Sequence, residues 1–402
     1  MLKLAVSAQL PLIAVTTRDT LNLPEVIEEI TGKKPVEFKP ELAGKTLKPG
    51  TLYMLIATGA KLGVALPKLY ETMTKAECTL LIVNAANAEE AVFDAGEVPV
   101  PKSLLMKFMM AVTKNQKKSE ELLRGLGGCT IKEAVELCRM TMARDKSLTP
   151  AGIMATRKSS FQGSKGLTQI DTGAAFYDPP KPLQFFIKRE KSFFLSATDP
   201  RLRTRGLLMD GPPGTGKTAA SKWIATQLGV PLYRLDMGGV KNKYLGASEG
   251  NMLANLARIE HEEPAVLLID EVEKVFNQGH GSVDGGTTTT MMSQLLWWLA
   301  EHNSRILTVM TTNNVKAIPP ELYREGRIDE VMYFGGLDEA EAFPFVASVL
   351  KTFSINDDAV VDAIVNHEFG KTEPGKKISQ AVLTQAVVKA LKNGVAKKAL
   401  AL

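Results

Sequence analysis

The sequence predicts an α/β protein built on open parallel sheets flanked by helices. Three observations carry this. Short apolar runs alternate with helical patterns through the first part of the chain. Two later runs, Val266–Ile269 and Ile306–Met310, are apolar but for Thr308, as strands buried on both faces are. A third, Gly206–Met209, runs through a glycine-rich turn into a helical pattern.

In chain order, Pro11–Val15 reads as a buried strand and Leu23–Ile30 as a helix stopped by Gly32. Thr51–Ala57 reads as a strand, Lys68–Lys75 as a helix and Thr79–Asn84 as another apolar strand. From Ser103 to Arg144 the pattern is helical. Leu104, Leu105, Phe108 and Met109 form one stripe, and Ile131, Ala134, Val135 and Cys138 another, with Gly125, Gly127 and Gly128 between them. A small α/β part followed by helices is the order of a nucleotide-binding module, yet this one has no phosphate loop. Its strand Thr79–Val83 runs into Asn84 and Ala85, where a working ATPase would need acidic residues. The expectation is a catalytically dead NTPase-like domain over residues 1–148.

At 402 residues the chain is too long for one ordinary core. With 45% hydrophobic and 23% charged residues it has the balance of a soluble protein, and a net charge of +5 neither requires nor excludes nucleic acid. Cys78, Cys129 and Cys138 lack the paired spacing of a zinc site and are expected as buried small side chains in a reducing compartment. Gln9 and Pro11 interrupt the apolar N-terminus, which argues against a leader peptide, and no run reaches the length of a membrane span. The expectation is a soluble, cytoplasmic protein.

Residues 149–184 are polar, basic and proline-containing (Asp178-Pro179-Pro180-Lys181-Pro182), which suits an extended connector. Lys188, Arg189, Lys191, Arg201, Arg203 and Arg205 follow. They read as solvated surface in preference to a nucleic-acid contact.

The chemistry begins at Gly211-Pro212-Pro213-Gly214-Thr215-Gly216-Lys217-Thr218, between the strand Gly206–Asp210 and a helix from Ala219 to Leu228. This is G-x-x-x-x-G-K-T, a phosphate loop. Its glycines let successive N–H groups face a phosphate, and the following helix adds its dipole and unpaired donors. Lys217 is expected to reach the β- and γ-phosphates of ATP, and Thr218 to give an oxygen to Mg²⁺. The strand Val266–Ile269 ends in Asp270 and Glu271, placed to hold Mg²⁺ and to polarise the attacking water. Alone, two carboxylates at a strand end are ordinary turn residues; some fifty residues past a phosphate loop they are not. Asn313 closes the next buried strand and can bond the γ-phosphate or the water. Arg324 and Arg327, three apart beside Gly326, would elsewhere be a surface helix end; here they read as fingers for a neighbouring subunit's γ-phosphate.

Together these residues resemble the AAA+ family over about 185–395, with a large ATPase domain expected at 185–337 and a helical lid at 338–402. Asn242 to Glu249 resembles that family's aromatic–hydrophobic–glycine pore loop, which would make Tyr244, Leu245 and Gly246 the grip on a threaded polypeptide. Gly279 to Gly286 resembles the second pore loop. A narrower resemblance is to the chloroplast and cyanobacterial conserved-reading-frame AAA ATPases, which also carry a degenerate N-terminal domain. It rests on Gly125 to Ala134, Phe176 to Pro179, Gly285 to Thr288, Trp298 to Glu301 and Asn313-Asn314. One departure is in the lid, where Pro374-Gly375-Lys376-Lys377 replaces the relatives' Ser-Gly-Ala-Glu and Lys376 is expected in solvent.

The resemblance implies an ATP-hydrolysing motor that forms a homo-oligomeric ring, six copies being the family expectation, and remodels or threads a protein client. Two other readings compete: a nucleic-acid-remodelling ATPase, and a slow nucleotide-gated assembly scaffold.

Overall fold

The computed structural model describes residues 1–39, 47–57, 65–85, 92–160, 166–172, 178–237, 247–274, 285–324, 326–373 and 375–394. They form two compact units, Met1–Ile153 and Met154–Leu402.

The first unit contains α1 (Leu2–Ser7), β1 (Leu12–Thr16), α2 (Leu23–Thr31), β2 (Val36–Glu37), β3 (Leu52–Ile56), α3 (Leu66–Lys75), β4 (Thr79–Val83) and β5 (Phe93–Glu97). The strands lie in the order β2-β3-β4-β1-β5, and every pairing is parallel. β4 is buried along its length, and its period of two turns Leu80 and Ile82 to one face and Leu81 and Val83 to the other. Leu69 and Met73 of α3 cover the first face; Val26 and Ile27 of α2 cover the second. Gly32, left-handed at φ 73°, ends α2 at the expected place. Then come α4 (Lys102–Thr113), α5 (Gln116–Arg124) and α6 (Ile131–Asp145), with their own core of Leu105, Met109, Leu122, Leu126, Ala134 and Leu137. A capping box between Thr130 and Glu133 starts α6. All three cysteines are buried, and none forms a disulfide.

The second unit holds most of α7 (Pro150–Ser160), then β6 (Leu167–Ile170), α8 (Lys181–Ser196), β7 (Gly206–Asp210), α9 (Lys217–Leu228), β8 (Leu232–Leu235) and α10 (Ala247–His261). β9 (Ala265–Ile269), α11 (Gly285–Glu301), β10 (Ile306–Thr312) and β11 (Glu330–Tyr333) complete its sheet layer. The order is β11-β7-β10-β9-β8-β6. β9 sends Val266 and Leu268 to one core and Ala265, Leu267 and Ile269 to the other, so both faces are covered. A lid of α12 (Glu339–Thr352), α13 (Asp358–Phe369) and α14 (Gln380–Lys392) follows, packed around Phe345, Val346, Leu350, Ile364 and Leu383.

The stretch expected to be an extended connector contains elements of its own. α7 and β6 fall inside it, and β6 pairs antiparallel with β8 at the sheet edge. Four residues with Leu167 and Gln169 inward and Thr168 outward suffice for an edge strand, because a single edge needs few bonds. Arg157 of α7 is buried and ion-paired with buried Glu262, which also accepts from the Tyr233 hydroxyl at 2.8 Å. Removing one partner of such a pair costs about 3–5 kcal/mol, so α7 is anchored to this sheet.

Counted from the first parallel strand, both sheets share one order, 5-1-4-3-2, with β6 added to the second. That equivalence moves one expectation. β4 corresponds to β10, so Asn84 stands where Asn313 stands, and the strand that would need acidic residues is β3. β3 runs into Ala57 and Thr58, so the position still lacks carboxylates.

Candidate functional site

β7 ends at Asp210 and the chain turns through Gly211 to Gly216 into α9. Gly211 has φ 148°, and a Cβ there would sit 2.0 Å from the Phe334 carbonyl oxygen, so no side chain fits. Gly216, left-handed at φ 85°, is the N-cap of α9, and the first turn of α9 carries no acidic residue. The result is a helix N-terminus with free N–H groups and a positive dipole end, the setting for a phosphate.

Lys217 is buried, and its ammonium donates to the carbonyls of Gly211 and Pro212 and to Asn313 Oδ1, the last at 3.0 Å. Burial lowers its pKa, opposed by the negative charges of Glu273, Asp210, Asp270 and Glu271. Thr215 Oγ1 donates to the Pro212 carbonyl at 2.9 Å, which braces the loop from inside. Thr218 Oγ1 lies 3.4 Å from both oxygens of Asp270. A hydroxyl beside a carboxylate is an all-oxygen donor set, the kind Mg²⁺ takes. Among the described residues no group of three or more His, Cys, Asp or Glu forms a metal cluster.

Glu271 follows at φ 53°, a left-handed conformation that a non-glycine residue adopts at a cost of about 1–3 kcal/mol. Its N–H donates to Thr311 Oγ1 at 2.9 Å, while the Thr311 hydroxyl donates to Asp270, so one threonine of β10 orients both acidic residues. The Glu271 carboxylate is partly exposed and paired with Lys274. Asn313 ends β10 with its amide nitrogen on Glu273 Oε1 at 3.0 Å.

These groups line a cavity of about 530 Å³, within the range of small-ligand sites. Gly214, Lys217, Thr218, Asp270, Glu271 and Asn313 form its floor. The lid supplies the other wall through Phe345, Gln380, Ala381, Thr384 and Gln385. α14 is tied directly to the loop by the Ala381 N–H, which donates to the Gly214 carbonyl at 3.0 Å. Among the described residues no lysine or arginine of the lid lines the cavity: Lys376 is exposed, and Lys377 lies 3.7 Å from Asp338 and 3.6 Å from Glu341.

Arg324 and Arg327 do not line this cavity. Both sit in the turn before β11, but they differ. Arg327 donates to the Glu321 carbonyl of its own turn, whereas Arg324 is exposed and has no side-chain partner among the described residues. Tyr244, Leu245 and Gly246 lie outside the described residues, as do Gly279 to Asp284.

Sequence reading missed Thr311 and Glu273, whose roles depend on burial and on a neighbouring strand. Within the basic segment Lys188, Arg189 and Arg201 are exposed, as expected, but Arg203 and Arg205 are not simple surface charge. Arg203 donates to the carbonyls of Ala197, Thr198 and Asn303, and Arg205 to those of Leu299 and Ala300. Arg305 donates to the carbonyls of Phe194 and Ala197. These guanidinium groups cap the C-terminal ends of α8 and α11, and Arg201 is paired with Asp199.

A parallel sheet with a phosphate loop at its first strand, acidic residues at the third and a polar residue at the fourth defines a P-loop NTPase module with a helical lid. Residues 207–336, within the second unit, match the model of the ATPase family associated with various cellular activities (AAA). The chain is similar to the "Uncharacterized AAA domain-containing protein ycf46" of Trieres chinensis, 32% identical over 198 residues, which is 49% of this chain and 40% of that protein. Its counterpart from Guillardia theta is 38% identical over 131 residues, 33% of this chain and 26% of that protein. A "Peroxisomal ATPase pex6" from Schizosaccharomyces pombe is 29% identical over 192 residues, 46% of this chain and 19% of that protein. The match therefore spans well under half the length of these relatives.

Proposed function

We propose that the chain hydrolyses ATP at this cavity, as one subunit of a ring-forming motor that remodels a protein client. One contrast supports this best: Lys217, Thr218, Asp270, Glu271 and Asn313 converge on one cavity, while Arg324 stands away from it, exposed and unpartnered among the described residues. A guanidinium outside its own site is free to serve a neighbour's.

In this reading the loop amides from Gly214 to Thr218 and the Lys217 ammonium hold the β- and γ-phosphates. Thr218 and Asp270 hold Mg²⁺, which when bound neutralises charge on the phosphate oxygens. Glu271 takes the proton of the attacking water, and Asn313 orients that water or the γ-phosphate. Arg324 of the next copy stabilises charge on the transferring group, an effect worth about 10³–10⁵ in rate where such fingers act. Arg327 shapes the turn that presents it. Tyr244 and Leu245 grip the client, as the resemblance to pore loops implies. The relatives' printed names, an AAA domain-containing protein and a peroxisomal ATPase, agree with ATP hydrolysis. The capping role of Arg203, Arg205 and Arg305 leaves fewer cations for nucleic acid, and buried cysteines outside disulfides suit a reducing cytoplasm.

The test is ATPase rate against protein concentration, with size analysis in ATP, for wild type, Glu271→Gln and Arg324→Ala. Activity rising with assembly, ATP-bound oligomers of Glu271→Gln, and loss of turnover without loss of ATP binding in Arg324→Ala are expected. A monomer whose turnover is indifferent to Arg324 would refute the shared site and favour a single-subunit switch.

A further inference from the structure

We propose that Glu273 is a positioning residue of this site, fixing the Asn313 amide so that its oxygen faces the Lys217 ammonium and the turn after β9 is coupled to the phosphate loop. The inference rests on reading the cavity as an ATP site.

Glu273 is buried and does not line the cavity, so it does not meet the nucleotide itself. Its Oε1 accepts from both the Asn313 main-chain N–H at 3.1 Å and the side-chain Nδ2 at 3.0 Å. That double contact decides the orientation of the amide. Flipped, it would set its carbonyl against a carboxylate and its NH₂ against an ammonium, with both bonds lost. Held as it is, Asn313 Oδ1 takes the Lys217 N–H at 3.0 Å.

An ammonium has three N–H donors. All three of Lys217 are committed here, to Gly211 O, Pro212 O and Asn313 Oδ1. A phosphate must take at least one of them. Since Asn313 Oδ1 is the side-chain member of the set, it is the one that can move, and what it moves against is Glu273. The second oxygen, Oε2, is buried without a partner among the described residues. Buried carboxylate oxygens are rarely left so, and this one keeps an acceptor in reserve for the amide when Lys217 turns to phosphate. The relay thus lets phosphate contact at Lys217 be felt at Asn313 and at the turn carrying Asp270 and Glu271.

A double-mutant cycle on the full chain tests this: wild type, Glu273→Ala, Asn313→Ala and the double variant, with kcat, KM and equilibrium binding of a fluorescent ATP analogue. Glu273→Ala should lose about 10- to 100-fold in kcat, with analogue affinity within about threefold. The double variant should be no slower than Asn313→Ala alone. Glu273→Gln, whose amide oxygen can accept the same two bonds, should recover most of the kcat. Should Glu273→Ala not fold, Glu273→Asp takes its place in the cycle, because its carboxylate stops one methylene short of both donors. A variant that melts earlier but keeps wild-type kcat, or losses that multiply in the double variant, would overturn the relay and leave Glu273 a core residue. A wild-type chain without ATP turnover would overturn the site reading and the relay together.

Discussion

In both units the first strand of the shared order leads through a six-residue turn into a helix, and the two turns have been put to opposite uses. In the second unit, Gly211 to Gly216 opens its main-chain donors toward a cavity, with glycines at φ 148°, 80° and 85°. In the first unit, Thr17 to Asn22 contains no glycine and bonds to itself and its surroundings. Asn84 clamps Thr17 from both sides, accepting from its N–H at 2.8 Å and donating to its carbonyl at 2.9 Å. Buried Asp19 accepts from Asn22 and from the Lys132 N–H at the start of α6, so a carboxylate of the chain occupies donors that a phosphate might have used. Arg18 is held by Glu97, Glu133 and the Gly128 carbonyl. Sheet order and nucleotide chemistry are therefore separable. Apolar runs set the first, and a handful of residues at strand ends set the second.

The effect that bears most directly on this contrast is that of Lys217→Ala. Because only one turn is open, ATP binding by the whole chain should fall by about 100-fold or more, measured by calorimetry. A residual ATP site of undiminished affinity would place nucleotide in the first unit and break the comparison. Next, Glu271→Gln should keep ATP affinity while turnover falls by about 10²–10⁴, read in steady-state assays.

The units should also part on acidification. All four histidines lie beyond residue 153. His302, buried and stacked on Trp298 at 4.2 Å, is lowered to about 4 by burial and by the nearby Arg205 charge. Its folded pKa lies below the unfolded value, so the unfolded chain takes up the proton first as pH falls. Stability is therefore intact above about pH 6.5 and declines toward pH 4, by on the order of 3 kcal/mol. Thermal melts from pH 7 to 4 should show the second unit weakening by this route, and His302→Gln should blunt the decline.

The smallest effect is expected at Asn84→Ala. Losing two partly buried bonds should destabilise the first unit by about 1–2 kcal/mol, seen in denaturant unfolding, with KM for ATP unchanged. A changed KM would show that the closed turn is not a passive plug.

Much of this was legible in the sequence. β1, β3 and β4, the stop at Gly32 and the loop from Gly211 to Thr218 all rest on local patterns: an apolar run, a left-handed glycine, a fixed spacing. What failed was non-local. β6 and two-residue β2 are too short to show a period, and β5, Phe-Asp-Ala-Gly-Glu, has no apolar run. The equivalence of Asn84 to Asn313 is hidden in the sequence, because chain order does not reveal that β4, rather than β3, lies between β1 and the rest of the sheet. The arginines near residue 203 looked like surface charge until the helix ends they cap were in view. Glu273 is one more acidic residue in Asp-Glu-Val-Glu-Lys until its burial and its contact with Asn313 set it apart.

The most direct test of the central claim is the stoichiometry of Mg²⁺–ATP binding to the full chain carrying Glu271→Gln, by equilibrium dialysis at saturating nucleotide. One ATP per chain, abolished by adding Lys217→Ala, is the predicted result. Two per chain, or one that survives Lys217→Ala, would contradict the assignment of an open site to the second unit and a closed one to the first.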